Sequence, residues 1–245
     1  MRKIRNWIYK DLQTVVSTND EAKLSVLTEK QNCIVSAIEQ TGGRGRRGRQ
    51  WISQDGNLFV SYAFKIKPSD LNRIVILSAV TIFETIKHFV PNHDVKIKWP
   101  NDVLVDDKKI SGILFEKVDD DFWVMGVGIN VMSNPEHTDL VYPTTSLKNL
   151  GIDTNRIAVL EYLTDMFDNL LDTYYNDGFE NIRQTWLKNA YNLGKHVIIK
   201  QENKIQEGIF WTIDKNGALI LKNNDNMEKI LAGDLFVKEA EDDRN

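Results

Sequence analysis

The chain changes character at Leu193-Gly194, and that change limits its possible folds more than any other feature. Upstream, apolar residues recur at both helical and strand spacing. Downstream, five short apolar or β-branched runs follow one another, at 196–200, 205–213, 218–222, 229–231 and 235–238. Asn216-Gly217, the asparagine-rich stretch 223–226 and Gly233 separate them as turns. A run of roughly 50 residues patterned this way reads as a small β-barrel. The 245 residues therefore divide into an expected α/β body, 1–192, and a β-module with a charged tail, 193–245.

The body alternates. Thr18-Asn19-Asp20-Glu21 is a Thr-x-x-Glu capping box and predicts a helix over 19–29. Residues 33–39 read as a buried strand and 57–65 as a second, rich in aromatic and β-branched residues. Over 70–90, Leu71, Ile74, Val75, Ile82 and Ile86 fall at helical spacing, and Pro91 stops the run. A short strand at 95–99 leads into a meander, 103–105, 110–118 and 122–131, turning at Asp106-Asp107 and Asp119-Asp120-Asp121. Helical blocks at 155–175 and 179–190 complete the body. The fold class is α/β (α+β): a mixed sheet with packed helices. The last residues, 239–245, read as a solvated tail.

Charge and cysteine content exclude several classes. Lys and Arg total 31 against 35 Asp and Glu, a net charge of −4. No chain-wide positive field draws such a protein to nucleic acid or membrane. The first ten residues are basic and aromatic, with no apolar run for a signal peptide. The single Cys33 has no intrachain partner, which fits a reducing, cytoplasmic setting. The four histidines show no metal spacing, so no protein-cage metal site is expected.

Against that background stands Gly42-Gly43-Arg44-Gly45-Arg46-Arg47-Gly48-Arg49, which holds four of the 14 glycines and four of the 31 basic residues. Its Gly-x-Gly-x-x-Gly lacks the following helix that a dinucleotide fingerprint needs. Its Gly-x-x-x-x-Gly continues as Arg49-Gln50, not the Lys-Ser/Thr of a P-loop. A repeated RNA-binding tail is also a poor fit, because the segment occurs once inside a globular pattern. Four close arginines repel one another unless something negative offsets them. Arginine forks suit phosphate, and glycines admit close backbone approach. An anion-binding loop, mobile until its ligand arrives, is the expectation.

Three further segments carry polar groups to strand ends. Lys98-Trp99-Pro100-Asn101-Asp102 offers a cation, an amide and a carboxylate, or else only a turn. Lys109-Ile110-Ser111-Gly112 places a glycine inside an apolar run, as a bulge or where something comes close. Gly126-Val127-Gly128-Ile129-Asn130 alternates two glycines on one face, a groove floor or a packing surface, with Asn130 able to read a base edge.

Taken in order, these segments resemble the biotin–protein ligases, over about residues 15–131. The resemblance rests on Ser17-Thr18-Asn19, Gln40, Gly43-Arg44-Gly45-Arg46-Arg47-Gly48 with Trp51, Lys98 to Asp102, Lys109 to Leu114 and Gly126 to Asn130. It implies the catalytic fold shared with class II aminoacyl-tRNA synthetases and an SH3-like C-terminal module. It also implies a two-step reaction: biotin and ATP give biotinyl-5′-AMP, and a carrier-protein lysine then takes the biotin.

By the same resemblance, Ser17, Thr18, Asn19, Gln40, Gly43, Gly45, Gly112, Gly126 and Gly128 would form the biotin site. Thr18 would serve both as helix cap and as site lining. Arg44, Arg46 and Lys109 would act catalytically, with Lys109 bridging the biotin carboxylate and the α-phosphate. Arg47 and Arg46 would neutralise phosphates. Trp51 and Asn130 would hold adenine. Lys98, Asn101 and Asp102 would position triphosphate and Mg²⁺. The implied partner is a biotin carboxyl carrier protein, of acetyl-CoA carboxylase or pyruvate carboxylase, and edge-to-edge sheet pairing could give a homodimer. Only 16 residues precede Ser17, too few for a repressor's DNA-binding domain, so a monofunctional ligase that binds neither DNA nor membrane is expected. The rivals are a lipoate–protein ligase of the same fold and a nucleic-acid-binding module built on the Arg/Gly loop.

Overall fold

The computed structural model describes residues 2–4, 7–135, 143–201, 204–224 and 226–237. The expected tail, 239–245, lies outside them. Eight strands form the main sheet: β1 Arg2–Ile4, β2 Trp7–Val15, β3 Cys33–Gln40, β4 Leu58–Lys65, β5 Val95–Lys98, β6 Asp102–Val105, β7 Lys108–Lys117 and β8 Phe122–Ile129. Their order is β1-β2-β3-β4-β8-β7-β6-β5. Only β2 and β3 run parallel, joined across one face by helix α1, Thr18–Glu29. The expected mixed sheet is present, and it gains two strands, β1 and β2, from the basic, aromatic start of the chain.

The two faces of the sheet are covered differently. Helices α2, Leu71–Phe89, and α3, Arg156–Asp177, lie on one side. There Leu58, Val60, Tyr62 and Phe64 of β4 meet Met125, Val127 and Ile129 of β8 in the main core. Trp7, Tyr62, Phe64 and Phe167 contact one another with ring centroids 5.3–6.1 Å apart, mostly edge-on. Ser78, Thr81 and Thr85 would be orphan hydroxyls inside α2, and each donates to the carbonyl four residues back. Across the sheet, α1 covers a smaller apolar cluster: Ala22, Val26, Cys33, Val35, Ala63, Phe122 and Val124.

The start of α1 departs from the capping-box expectation. Ser17, in extended backbone, is the N-cap, and its side chain accepts from the Asn19 N–H. The Thr18 hydroxyl is left for tertiary partners. At the other end of the body, α3 is capped by Asn155, which accepts from the Ile157 and Ala158 N–H groups. Helix α4, Glu180–Lys188, follows, and its buried Trp186 meets Phe210 of the second sheet at 6.0 Å.

That second sheet contains β9 His196–Lys200, β10 Ile205–Ile213, β11 Leu219–Asn223, β12 Asn226–Ile230 and β13 Asp234–Val237. All pairings are antiparallel, in the order β12-β11-β10-β9-β13. The strand count matches expectation; the closed barrel does not. After β12 the chain crosses to β9 on the opposite side, so β12 and β13 become opposite edges with no ladder between them among the described residues. The inner face (Val197, Ile199, Phe210, Leu219, Leu221, Leu235) is continuous with the core of the body.

Candidate active site

Cross-strand partners share a face, so register alone builds the floor of the site. One row runs Lys98, Asp102, Gly112, Gly128, Phe59 across β5, β6, β7, β8 and β4. The next runs Leu114, Gly126, Ser61, Val35. Both rows lie on the α1 side, just beyond the N-terminus of that helix. The cavity above them has a volume of about 600 Å³, large enough for a small-molecule ligand.

The glycines make room for side chains as much as for a ligand. A methyl group on Gly128 would sit 2.3 Å from the Trp51 ring, and one on Gly126 would sit 2.3 Å from Asn19 Oδ1. Gly112 leaves room for Trp51, the Lys109 ammonium and the Asp102 carboxylate together. Trp51 thus lies flat on the floor, with Lys109 Nζ 5.5 Å from its ring centroid.

At one end, Thr18 and Gln40 meet: the Thr18 N–H donates to Gln40 Oε1 at 2.8 Å, and the Thr18 hydroxyl lies 3.0 Å from the same oxygen. Ser61 Oγ is 2.8 Å from Thr18 Oγ1 and 2.6 Å from Asn19 Oδ1. At the other end, Lys109 Nζ is 2.8 Å from Asp102 Oδ1, an ion contact off the angle of a hydrogen bond. Beyond them Lys98 is only 4% exposed. Burial depresses its ammonium to about 8; Asp102 counters this and Lys109 adds to it. The Trp99–Pro100 peptide after it is cis. Asn101 Nδ2 donates to the Ile113 carbonyl at 2.8 Å, and Asn130 Nδ2 donates to that of Thr145 at 2.9 Å.

The arginine segment folds into a small hairpin, closed by Gly45 N–H to the Arg49 carbonyl at 2.7 Å and Trp51 N–H to the Gly43 carbonyl at 3.0 Å. Arg47 adopts φ 55°, in the left-handed region. Protein carboxylates supply the offset that a polyanion was expected to supply. Arg44 makes a bidentate pair with Asp20, at 2.8 and 2.6 Å. That hydrogen bonding holds the Asp20 carboxyl below its ordinary value. Arg46, Arg47 and Arg49 all converge on Asp234, the first residue of β13. Arg46 also donates to Asn101 Oδ1 at 3.1 Å, tying the loop to the Lys98 segment.

The structure brings nearly all the expected residues to this one cavity: Ser17, Thr18, Asn19, Gln40, Arg44, Gly45, Arg46, Trp51, Lys98, Asn101, Asp102, Lys109, Gly112, Gly126, Gly128 and Asn130. Two expected residues stand outside its walls. Gly43 packs under the Trp51 carbonyl, where a Cβ would sit 2.6 Å away, and Arg47 reaches the Lys200 carbonyl of the second sheet. Sequence reading missed Asp234, Leu235 and Phe236, which wall the cavity from that sheet, and Ser61 and Glu116 beside α1. Among the described residues, no group of three or more His, Cys, Asp or Glu is placed to hold a metal ion, and no helix is long and apolar enough to cross a membrane.

A model described as the biotin/lipoate A/B protein ligase family matches residues 10–131. One described as the biotin protein ligase C-terminal domain matches residues 193–238. The biotin–[acetyl-CoA-carboxylase] ligase of Paracoccus denitrificans is 30% identical over 234 residues, covering 90% of this chain and 96% of that protein. The chain belongs to the biotin protein ligase family. Another relative in it, the bifunctional ligase/repressor BirA of Bacillus subtilis, is 31% identical over 215 residues, covering 84% of this chain and 66% of that longer protein. Among solved structures, the biotin protein ligase of Aquifex aeolicus in complex with biotin and ATP superposes with a TM-score of 0.80 at 25% identity, over 95% of this chain and 99% of that one. That superposition takes in both the α/β body and the C-terminal sheet.

Proposed function

We propose a division of labour along the cavity for an ATP-dependent biotin–protein ligase. The enzyme joins biotin to AMP as biotinyl-5′-AMP and then passes biotin to a lysine of a biotin carboxyl carrier domain. The observation that carries the assignment is the single cavity in which Thr18 and Gln40 stand at one end, Lys109 in the middle and Lys98 at the other.

The ureido head of biotin fits the Thr18–Asn19–Gln40 end, where amide and hydroxyl groups can pair with its N–H and C=O groups. Its carboxylate then reaches Lys109. In the first step a carboxylate oxygen attacks the α-phosphorus of ATP, and the bond from that phosphorus to the β-bridging oxygen breaks to release pyrophosphate. The Lys109 ammonium, fixed by Asp102 and Trp51, sits where negative charge gathers and stabilises it without forming a covalent bond. Arg44 and Arg46 act beside it from the hairpin. Lys98 and Asn101 meet the phosphates, while Trp51 and Asn130 hold the adenine; Arg47, turned to Asp234 and, outside the cavity, to the Lys200 carbonyl, secures the hairpin. In the second step the carrier amine attacks the acyl carbon, and AMP leaves as the mixed anhydride breaks.

Asp102 suits Mg²⁺ as a single carboxylate beside the phosphate end, with the Lys109 ammonium against its Oδ1. Magnesium typically takes one or two carboxylates and relies on phosphate and water for the rest. When bound, it would neutralise charge on the triphosphate.

The catalytic unit is residues 1–192 and the module 193–245, which closes the cavity through Asp234, Leu235 and Phe236. The carrier is the biotin domain of an acetyl-CoA or pyruvate carboxylase, and the cytoplasm, where ATP is available, is the place of action. The test mixes protein, Mg-ATP, biotin and apo carrier domain and follows biotin on the carrier. Transfer of biotin is expected. No transfer, or equal transfer of lipoate, overturns the reading.

A further inference from the structure

One carboxylate behind the head-group end has no part in the division of labour above. Glu116 lies on β7, on the α1 side of the sheet, with its side chain 25% exposed. It accepts from Asn19 Nδ2 at 2.6 Å and lies 3.2 Å from Lys23 Nζ and 3.5 Å from Arg44 Nη2. It thus joins the floor of the cavity, helix α1 and the entry to the arginine hairpin.

Counting hydrogens shows what this carboxylate decides. An ionised carboxylate only accepts, so the Asn19 amide must turn its NH₂ to Glu116 and its oxygen to Ser61. Ser61 has one hydroxyl hydrogen, and at 2.6 Å it goes to Asn19 Oδ1. Ser61 therefore has only lone pairs for Thr18, 2.8 Å away. The single Thr18 hydroxyl hydrogen is held between Ser61 and Gln40 Oε1, so Thr18 offers the cavity an acceptor. Gln40 Oε1 is engaged by Thr18, which leaves its Nε2 as donor. The result is an acceptor beside a donor, the pattern that complements a ureido N–H and C=O.

We propose that Glu116 is a positioning residue: it sets the hydrogen-bond polarity of the head-group end through Asn19 and Ser61, while Arg44 keeps its bidentate hold on Asp20. The proposal rests on the assignment of Thr18, Asn19 and Gln40 to the biotin head. The environment keeps the carboxylate ionised. Burial would raise its pKa, but hydrogen bonds from Asn19 and Lys23 and the charges of Lys23 and Arg44 hold it below the ordinary glutamate value. Gly126 belongs to the same device, because it lets Asn19 lie flush on the strand.

The experiment measures biotin affinity by calorimetry without ATP, and KM and kcat with it, for Glu116→Ala, Asn19→Asp and the double variant Asn19→Asp/Glu116→Gln. Glu116→Ala should raise the biotin Kd and KM about tenfold and leave kcat within about twofold. Asn19→Asp sets two carboxylates face to face and should weaken biotin binding by about thirtyfold or more. Adding Glu116→Gln restores a donor–acceptor pair with its direction reversed, the amide now on β7 and the carboxylate on α1, and should recover most of that loss. A merely structural residue would lower Tm and kcat together and show no such rescue.

Absence of rescue overturns the proposal, and that arm stands even if Glu116→Ala fails to fold. Thr18→Val and Gln40→Ala separate the two layers of inference. If they weaken biotin binding and a folded Glu116→Ala does not, the role of Glu116 is wrong and the head-group assignment stands. If none of the three weakens it, the head-group assignment itself fails.

Discussion

Strand β8 does two different jobs on its two faces. Met125, Val127 and Ile129 sink into the core beneath α2 and α3. Their immediate neighbours Gly126 and Gly128 lie under Asn19 and Trp51, where a single added carbon has no room. Because side chains alternate, eight consecutive residues supply both a packing surface and a binding floor. Changes on the first face should be felt as stability, and changes on the second as activity.

The sharpest test of that division is Lys109→Ala on the site face. It should slow biotinyl-AMP formation by about 10³-fold or more, the scale of a lost preorganised charge, with Tm unchanged. Pyrophosphate release and thermal melting measure the two sides, and a fall in both would make the lysine structural. The counterpart on the core face is Phe167→Ala, which removes a fully buried ring packed on Trp7, Tyr62 and Phe64. It should cost about 3–5 kcal/mol of stability in denaturant titration, with the biotin KM of the folded fraction unchanged. Gly128→Ala comes next. Its methyl group would meet the Trp51 ring and displace it, so kcat/KM should drop roughly 10–100-fold while stability moves little. If Gly128→Ala instead costs stability and spares activity, the two faces are not specialised in this way.

A pH profile sharpens the same contrast within the site. Lys98 is held at about 8, so it is charged below that pH and neutral above it. If it grips the triphosphate, kcat/KM for ATP should fall several-fold as pH rises through 8, and Lys98→Arg should abolish the fall. The stability linkage has the opposite sign. The unfolded lysine keeps its proton up to about 10.5, so this residue makes folding less favourable as pH drops from 10.5 towards 8. A flat ATP profile across that window removes Lys98 from phosphate binding. The smallest effect expected is from Asp234→Ala. Freeing Arg46, Arg47 and Arg49 should speed tryptic cleavage in the hairpin a few-fold, read by mass spectrometry, with the core transition unaltered.

How much of this is legible in the sequence follows from the range of each interaction. The glycine floor can be read because alternation is local: Gly126 and Gly128 declare a shared face within three residues. The Lys98, Asp102 and Lys109 segments can be read because each sits beside a strand end. Glu116 cannot, since its partner Asn19 is 97 positions away and β7 looks there like an ordinary polar-ended strand. Strand β2 escapes notice for a related reason. Its Lys10 and Asp11 look solvated, but they pair with Glu29 of α1 and Arg156 of α3, contacts that exist only once the layers have packed. The helix start shifts by one residue because Thr18 has two possible uses. Tertiary hydrogen bonds to Gln40 and Ser61 claim its hydroxyl, and Ser17 takes over the cap. A closed barrel is an overreading because strand count and turn spacing do not say which edges meet.

The grip of Asp234 on the arginine hairpin also sets an order in time. Arg49 and Asp234 are 185 positions apart, so the contact that docks the hairpin on the second sheet is among the most non-local in the chain. During synthesis the hairpin leaves the ribosome long before its anchor exists. The glycine floor and Lys109 can fold once α3 has followed β8 and packed on the sheet, but the wall supplied by β13 must wait until the chain has grown past Val237. Until then a nascent chain carries Arg46, Arg47 and Arg49 unanchored beside an incomplete pocket, so the ability to hold an adenylate is gained late, when the second sheet docks.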